Sequence, residues 1–214
     1  MNRMLQLIGL AGLLLIAGAW PAMADVFTVT LNNTSGLSAP QQLFFQLNDG
    51  DLDVGNNTAT LSNFDFGGGS AVGSPSYFGS ASGDLSSGVT LNDTGTFSQE
   101  FDPGSSLSFV LTTTDNFDAT GPSPDAFAMS VCADDFSECY SDNPDGSFAM
   151  LELNLTGGTV STSDFILYGA SDQNLPAPVV TAGSSVTPEP NTVWLMGSGF
   201  LGVAFMVFRR RRNV

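Results

Sequence analysis

The stretch Val26-Phe27-Thr28-Val29-Thr30-Leu31 decides the fold class. Its apolar residues alternate with Thr28 and Thr30, and a period of two places the apolar side chains on one face of a strand. Similar short runs rich in Val, Phe, Leu and Thr continue to Tyr168, separated by clusters of Gly, Ser, Asn, Asp and Pro. About nine strands without a helical pattern predict an all-β fold, an antiparallel β-sandwich that is jelly-roll-like.

Outward from this segment, the N-terminal residues have the pattern of an export signal. Arg3 precedes an apolar run from Leu5 to Ala19, and Ala22-Met23-Ala24 supplies the small residues of a cleavage site. We therefore expect a signal peptide over residues 1–24, removed by signal peptidase. The exported β-sandwich domain is predicted over residues 25–174, followed by a Pro- and Gly-containing linker over 175–187.

The C-terminal tail has three ordered features. Pro188-Glu189-Pro190 comes first, an uncharged apolar run from Val193 to Phe208 follows, and Arg209-Arg210-Arg211-Arg212 comes last. With its flanks, the run suffices for one transmembrane helix, and a terminal Arg cluster stays on the cytoplasmic side. The residues before Pro188 are thus expected outside the cytoplasmic membrane.

This tail resembles the PEP-CTERM sorting signal of exported Gram-negative bacterial proteins. Pro188, Glu189 and Pro190 match the tripeptide, Gly197, Gly199 and Gly202 match the small residues of the helix, and Arg209, Arg210, Arg211 and Arg212 match the cluster. The resemblance implies recognition by an exosortase, removal of the tail near the tripeptide and co-occurrence with exopolysaccharide production. The alternative is an ordinary membrane anchor.

The exported segment also resembles an uncharacterised family of PEP-CTERM proteins that has no known activity. The resemblance rests on four short stretches: Leu47–Gly50, Asn56–Thr60, Asn63–Gly69 and Gly83–Val89.

Charge is distributed very unevenly along the chain. All five basic residues are Arg3 and Arg209 to Arg212, whereas Asp25 to Thr187 holds 20 of the 21 acidic residues and no Lys, Arg or His. Such a surface disfavours nucleic acid and anionic lipid headgroups as partners. Either divalent cations supply the missing positive charge, or the surface is simply solvated and self-repelling.

Two short patterns within the exported segment predict structural sites. Cys132 and Cys139 are the two cysteines of the chain, and in an oxidising compartment we expect a local disulfide. Asp49, Asp51 and Asp53 repeat the alternate oxygen ligands with which a calcium loop begins. Val54 and Thr60 stand where an EF-hand needs Gly and Glu, so a calcium site at the edge of the sandwich and an Asp/Asn-rich turn both remain open.

Enzymatic activity is not expected of this domain. Without His or Lys, a Ser or Cys nucleophile lacks its usual base. No spacing among Glu100, Glu138 and Glu152 selects a pair for glycoside hydrolysis. Tyr77, Phe78 and Tyr140 are candidate exposed aromatics for stacking on sugars, with packing in the core or within the loops as the alternative. The leading hypothesis is a non-catalytic surface or extracellular-matrix protein that associates with exopolysaccharide in the biofilm matrix. The alternatives are a carbohydrate-active enzyme and a self-assembling structural surface protein.

Overall fold

The computed structural model describes residues 24–52, 55–116 and 121–183. In these residues it has thirteen β-strands: β1 (Ala24–Asn32), β2 (Gln41–Asn48), β3 (Thr58–Asp65), β4 (Ser70–Ala71), β5 (Ser76–Phe78), β6 (Ala81–Asp84), β7 (Gly88–Asn92), β8 (Thr96–Asp102), β9 (Ser106–Thr114), β10 (Asp125–Ala133), β11 (Leu151–Leu155), β12 (Phe165–Leu167) and β13 (Val179–Ala182). The helices of this part of the chain are three short 3-10 turns at Thr34–Gly36, Thr162–Asp164 and Ser171–Gln173.

The strands form two antiparallel sheets. The six-stranded sheet has the order β13-β1-β9-β3-β7-β6. The seven-stranded sheet has the order β12-β11-β10-β2-β8-β4, with β5 pairing to β8 outside this path. Every pairing of neighbouring strands is antiparallel. The predicted all-β sandwich is therefore confirmed.

Strand β1 shows how the sequence pattern becomes a layer of the sandwich. Phe27, Val29 and Leu31 are buried, while Thr28 and Thr30 lie on the outer face. The strand pairs with β9 along its full length, from Ala24 opposite Thr114 to Asn32 opposite Ser106. Because β9 alternates in the same way, both strands contribute apolar side chains to the same side of the sheet.

Phenylalanine rings fill the space between the sheets. Phe45 of β2 is fully buried, and its ring centroid lies 5.4 Å from Phe109, 6.1 Å from Phe97 and 6.2 Å from Phe127. Phe109 belongs to the six-stranded sheet and the other two to the seven-stranded sheet, so these contacts join the layers. Burial of such a side chain stabilises the fold by about 1.5–3 kcal/mol.

Two segments are more ordered than the sequence predicts. Residues 67–83, which read as a Gly/Ser loop, contain β4, β5 and most of β6. Part of the predicted linker 175–187 is folded: Leu175 is buried and pairs with Ala170, and β13 forms an edge of the six-stranded sheet. Strands of two to four residues are too short to show the apolar alternation by which a strand is recognised, and pairing with neighbouring strands stabilises them instead.

Among the described residues, no helix has the length and apolar character to cross a bilayer. The predicted transmembrane helix over Val193–Phe208 and residues 1–23 of the predicted signal peptide lie outside the described residues, whereas Ala24 is the first residue of β1.

Candidate functional site

Carboxylates gather at one end of the sandwich, which we call the acidic end. At this end β2 and β9 finish and β3 and β10 begin. Carboxylate oxygens of Asp49, Asp51 and Asp125 lie within 4.8 Å of one another. Asp51 and Asp125 are buried, and Asp49 is half-buried. Two of the three predicted calcium ligands, Asp49 and Asp51, thus lie close together, and Asp125 at the start of β10 lies beside them. The third, Asp53, lies outside the described residues.

Asp125, the first residue of β10, anchors the loop that carries this cluster. Its Oδ1 accepts hydrogen bonds from the backbone N–H of Gly50 (2.8 Å) and of Asp51 (3.3 Å), and its Oδ2 accepts one from the side-chain amide of Asn57 (2.8 Å). Gly50 is required there, because a Cβ would lie 2.1 Å from the carbonyl oxygen of Pro124. The loop therefore packs directly against the chain that enters β10.

Asp93 holds the other half of the same loop. Its carboxylate accepts hydrogen bonds from the backbone N–H groups of Gly55, Asn56 (2.8 Å) and Asn57 (3.2 Å). Burial raises the pKa of Asp93, the N–H of Gly55 opposes that rise, and the negative charge of Asp125 adds to it. The loop is thus held by buried carboxylates that backbone and amide N–H groups satisfy in place of basic side chains.

The arrangement is compatible with both interpretations of the Asp-rich loop. Aspartate oxygens from two separate segments are ligands of the kind that Ca²⁺ and Mg²⁺ accept. Two hydrogen bonds favour the turn: Asp49 Oδ1 accepts the N–H of Leu52 (2.6 Å), and the side-chain amide of Asn56 donates to Asp51 Oδ2 (2.9 Å). Calcium binding remains a prediction, to which the structure adds Asp125 as a fourth candidate ligand.

Sequence reasoning missed Asp93 and Asp125. Asp125 is 74 residues from Asp51 and Asp93 is 38 residues from Gly55, so no local spacing connects them to the loop. Each stands beside a strand boundary, among turn residues that are common throughout the chain. Only the strand order brings them to the acidic end.

The cysteines and aromatic candidates lie elsewhere. Cys132 and Cys139 are joined by a disulfide, as predicted. Tyr140 is buried, with 7% of its surface exposed, so of the two roles that the sequence left open it has the packing role: its backbone pairs with Val131 of β10 and its ring packs into the core. Tyr77 and Phe78 on β5 are exposed, and the Tyr77 hydroxyl donates to the carbonyl of Gly83.

The fold and these sites define an acidic, disulfide-containing β-sandwich that precedes a separate C-terminal signal. Residues 186–212 match the family model of the PEP-CTERM protein-sorting motif. The chain therefore carries a PEP-CTERM sorting signal, which implies an exported protein that an exosortase sorts from a membrane-anchored precursor. Pro188, Glu189, Pro190 and Arg209 to Arg212 fall within the match and outside the described residues.

No curated protein and no solved structure matches this chain. The likeness of the exported domain to an uncharacterised family therefore stays a resemblance.

Proposed function

We propose that the exported domain is a non-catalytic surface or matrix protein that associates with extracellular polysaccharide after an exosortase has removed its tail. The observation that carries the proposal is the sorting motif at residues 186–212, placed behind a folded domain with no basic side chain. The sorting system directs such a domain to the cell surface or beyond, and the resemblance implies co-occurrence with exopolysaccharide production.

The chemistry of the domain supports a binding role. Asp25 to Thr187 contains no His, Lys or Arg to activate a nucleophile. The buried carboxylates Asp93 and Asp125 accept two or more N–H hydrogen bonds each, and these bonds hold the loop between β2 and β3. Glu152 likewise accepts from Asn143 (3.3 Å) and Ser147 (2.9 Å). These contacts fit structural roles for the acidic side chains.

Processing is tested by the intact mass of the protein recovered from outside the cytoplasmic membrane. We expect a mature chain that begins at Asp25 and lacks Val193 to Val214. Glu189→Gln should leave a membrane-retained precursor, because it alters the tripeptide and nothing in the folded domain. Glu152→Gln is the matched control, since it removes one carboxylate within the domain, and it should be processed normally. Recovery of most molecules with the tail intact would refute exosortase processing.

Function is tested with the same purified protein on a glycan array. Binding without release of shorter products supports the proposal. Release of products would establish the carbohydrate-active enzyme instead. Assembly of pure protein into ordered particles, with no glycan bound, would establish the structural surface protein.

A further inference from the structure

The loop closed by the disulfide holds an aromatic residue in a backbone conformation that aromatic residues avoid. Phe136 has φ = 56°, in the left-handed region, where its Cβ crowds the following carbonyl. The turn is fixed by hydrogen bonds from Phe136 N–H to the Ala133 carbonyl (3.0 Å) and from Ala133 N–H to the Glu138 carbonyl (2.8 Å). Cys132 and Cys139 close it covalently.

Core packing does not account for an aromatic residue at this position. Phe136 is 46% exposed, and its ring contacts Phe44 edge-on at a centroid distance of 6.4 Å. Glycine or asparagine would adopt the same turn without steric crowding. Strained backbone of this kind is concentrated at functional sites, which directs attention to the surface around Phe136.

The ring stands over the outer face of the seven-stranded sheet. Phe44 lies on that face, since its neighbours Leu43 and Phe45 are fully buried, and it is opposite Ser98 of β8. Phe78 is opposite Thr96, two residues before Ser98, and therefore stands on the same face, 77% exposed. From the spacing of strands and residues, the backbone positions of Phe44 and Phe78 are about 12 Å apart.

We infer that this outer face, with Phe44 and Phe136 at one position and Phe78 at another, binds a chain of neutral polysaccharide. The inference rests on the proposed function and names the surface and the ligand class. Aromatic rings offer apolar faces to the C–H faces of sugars, and the side chains between the rings, Gln46, Thr96 and Ser98, offer uncharged amide and hydroxyl groups to sugar hydroxyls. Separated rings with uncharged polar groups between them suit an extended, uncharged chain.

A second copy of the protein fits this face poorly. Three rings that bury at most about 150–250 Å² each fall short of the roughly 800 Å² per partner of a stable interface, since part of each ring is already covered. The 20 carboxylates between Asp25 and Thr187 have no basic side chain to meet on a second copy, so the two copies repel each other. The same repulsion disfavours an anionic polysaccharide and leaves a neutral one unaffected.

The test is native affinity electrophoresis of the protein purified from the exporting bacterium. Gels contain hydroxyethylcellulose, dextran or galactomannan as neutral probes, and alginate as the anionic probe. We expect retardation by at least one neutral probe and none by alginate. Phe136→Gly and Phe78→Ala should each raise the dissociation constant for the retarding polysaccharide at least tenfold. The melting temperature of Phe136→Gly should equal or exceed that of the wild type, because glycine adopts this φ without crowding.

Leu52→Gly is the matched control. Leu52 is also apolar, 72% exposed and in the left-handed region (φ = 69°), but it lies at the acidic end. Its replacement should leave retardation unchanged. Wild-type retardation that persists in both Phe variants overturns this surface and leaves the proposed function intact. An equal loss in Leu52→Gly, or retardation by alginate alone, also overturns it. No retardation of the wild type by any probe overturns the proposed function together with this inference.

Discussion

At the scale of single residues, buried carboxylates hold one loop in place by accepting hydrogen bonds, without basic side chains. Asp125 and Asp93 are each at most 2% exposed, and both bind the loop between β2 and β3 through N–H donors. Hydrogen bonds to a charged acceptor contribute about 1.5–3 kcal/mol each, more than neutral ones. Removing such an acceptor leaves buried donors without a partner, so these positions tolerate little change.

Asp125→Asn should lower the free energy of unfolding by about 2–3 kcal/mol, because the new amide nitrogen faces N–H donors from Gly50, Asp51 or Asn57. Urea unfolding at neutral pH measures the change. Asp172→Asn is the control, since it removes the same charge from an exposed position and should change stability little. Equal stability of the two variants would show that Asp125 does not anchor the loop.

Calcium binding is tested at the same residues. A bound ion stabilises the folded state by RT ln(1 + [L]/Kd), about 2.7 kcal/mol at 100 times Kd. Thermal melts in sodium, magnesium and calcium salts at equal ionic strength separate this effect from screening. Calcium should raise the melting temperature beyond the others, and Asp51→Asn should abolish the extra shift. If calcium gives no extra shift, the loop from Asp49 is only a turn.

At the scale of single elements, β13 is the strand that pattern reading assigned to a linker. It lies antiparallel to β1, with Val29 opposite Val180, and the N–H of Gly183 donates to the Val26 carbonyl at 2.7 Å. Hydrogen-bonded pairs alternate along an antiparallel ladder. Thr181, opposite Thr28, therefore donates its N–H to β1, whereas the N–H of Ala182 points away from it.

A pair of proline substitutions tests this alternation. Thr181→Pro removes a ladder hydrogen bond and should lower the free energy of unfolding by about 1–3 kcal/mol. Ala182→Pro removes an N–H at the free edge and should cost distinctly less, and both side chains are exposed. Urea unfolding of the two variants gives the difference. A larger loss for Ala182→Pro would contradict the register of β13.

The contribution of the disulfide to the free energy of unfolding can also be tested by itself. Closing a loop of this length removes about 2.5 kcal/mol of chain entropy from the unfolded state. A Cys132→Ser, Cys139→Ser double variant should lose about 2–3 kcal/mol in urea unfolding, and thiol labelling of the denatured wild type should find no free thiol. Labelling of both cysteines in the wild type would refute the bond in the purified protein.

At the scale of the whole molecule, pH dependence reports how the carboxylates are held. Burial raises the pKa of Asp93 and of Asp115, with neighbouring carboxylates adding to the rise, so at these sites the folded state binds protons more readily than the unfolded one. Stability should therefore increase as pH falls from neutral towards 3.8. Asp84 acts in the opposite direction: hydrogen bonds, led by the Ser86 hydroxyl, lower its pKa from 3.8 to about 2.

The free energy of unfolding should thus pass through a maximum in the acid range, above pH 3.8, and fall from there to about pH 2 as the stabilising contribution of Asp84 is lost. Urea unfolding from pH 7 to pH 2.5 at constant ionic strength measures the profile. Asp93→Asn should flatten the rise between neutral pH and the maximum. A stability that only falls from pH 7 downward would contradict the raised pKa values.

The sequence by itself determined the fold class and the presence of the sorting signal. The alternation in Val26–Leu31 predicts the buried face of β1, because the period of a strand is a local property of the backbone. The order of tripeptide, apolar run and Arg cluster predicts the sorting signal, because such signals are read along the chain. The pairing of Cys132 with Cys139 follows from there being only two cysteines.

The tertiary structure alone decided which distant residues meet. It placed Asp125 beside Asp49 and Asp51, paired β13 with β1, and set Phe136 over Phe44. It also buried Tyr140, for which the sequence left exposure and core packing both open. These outcomes depend on the strand order and register of two packed sheets. Which strands become neighbours depends on many contacts between segments that are remote in the sequence, and the alternation within one strand does not determine it.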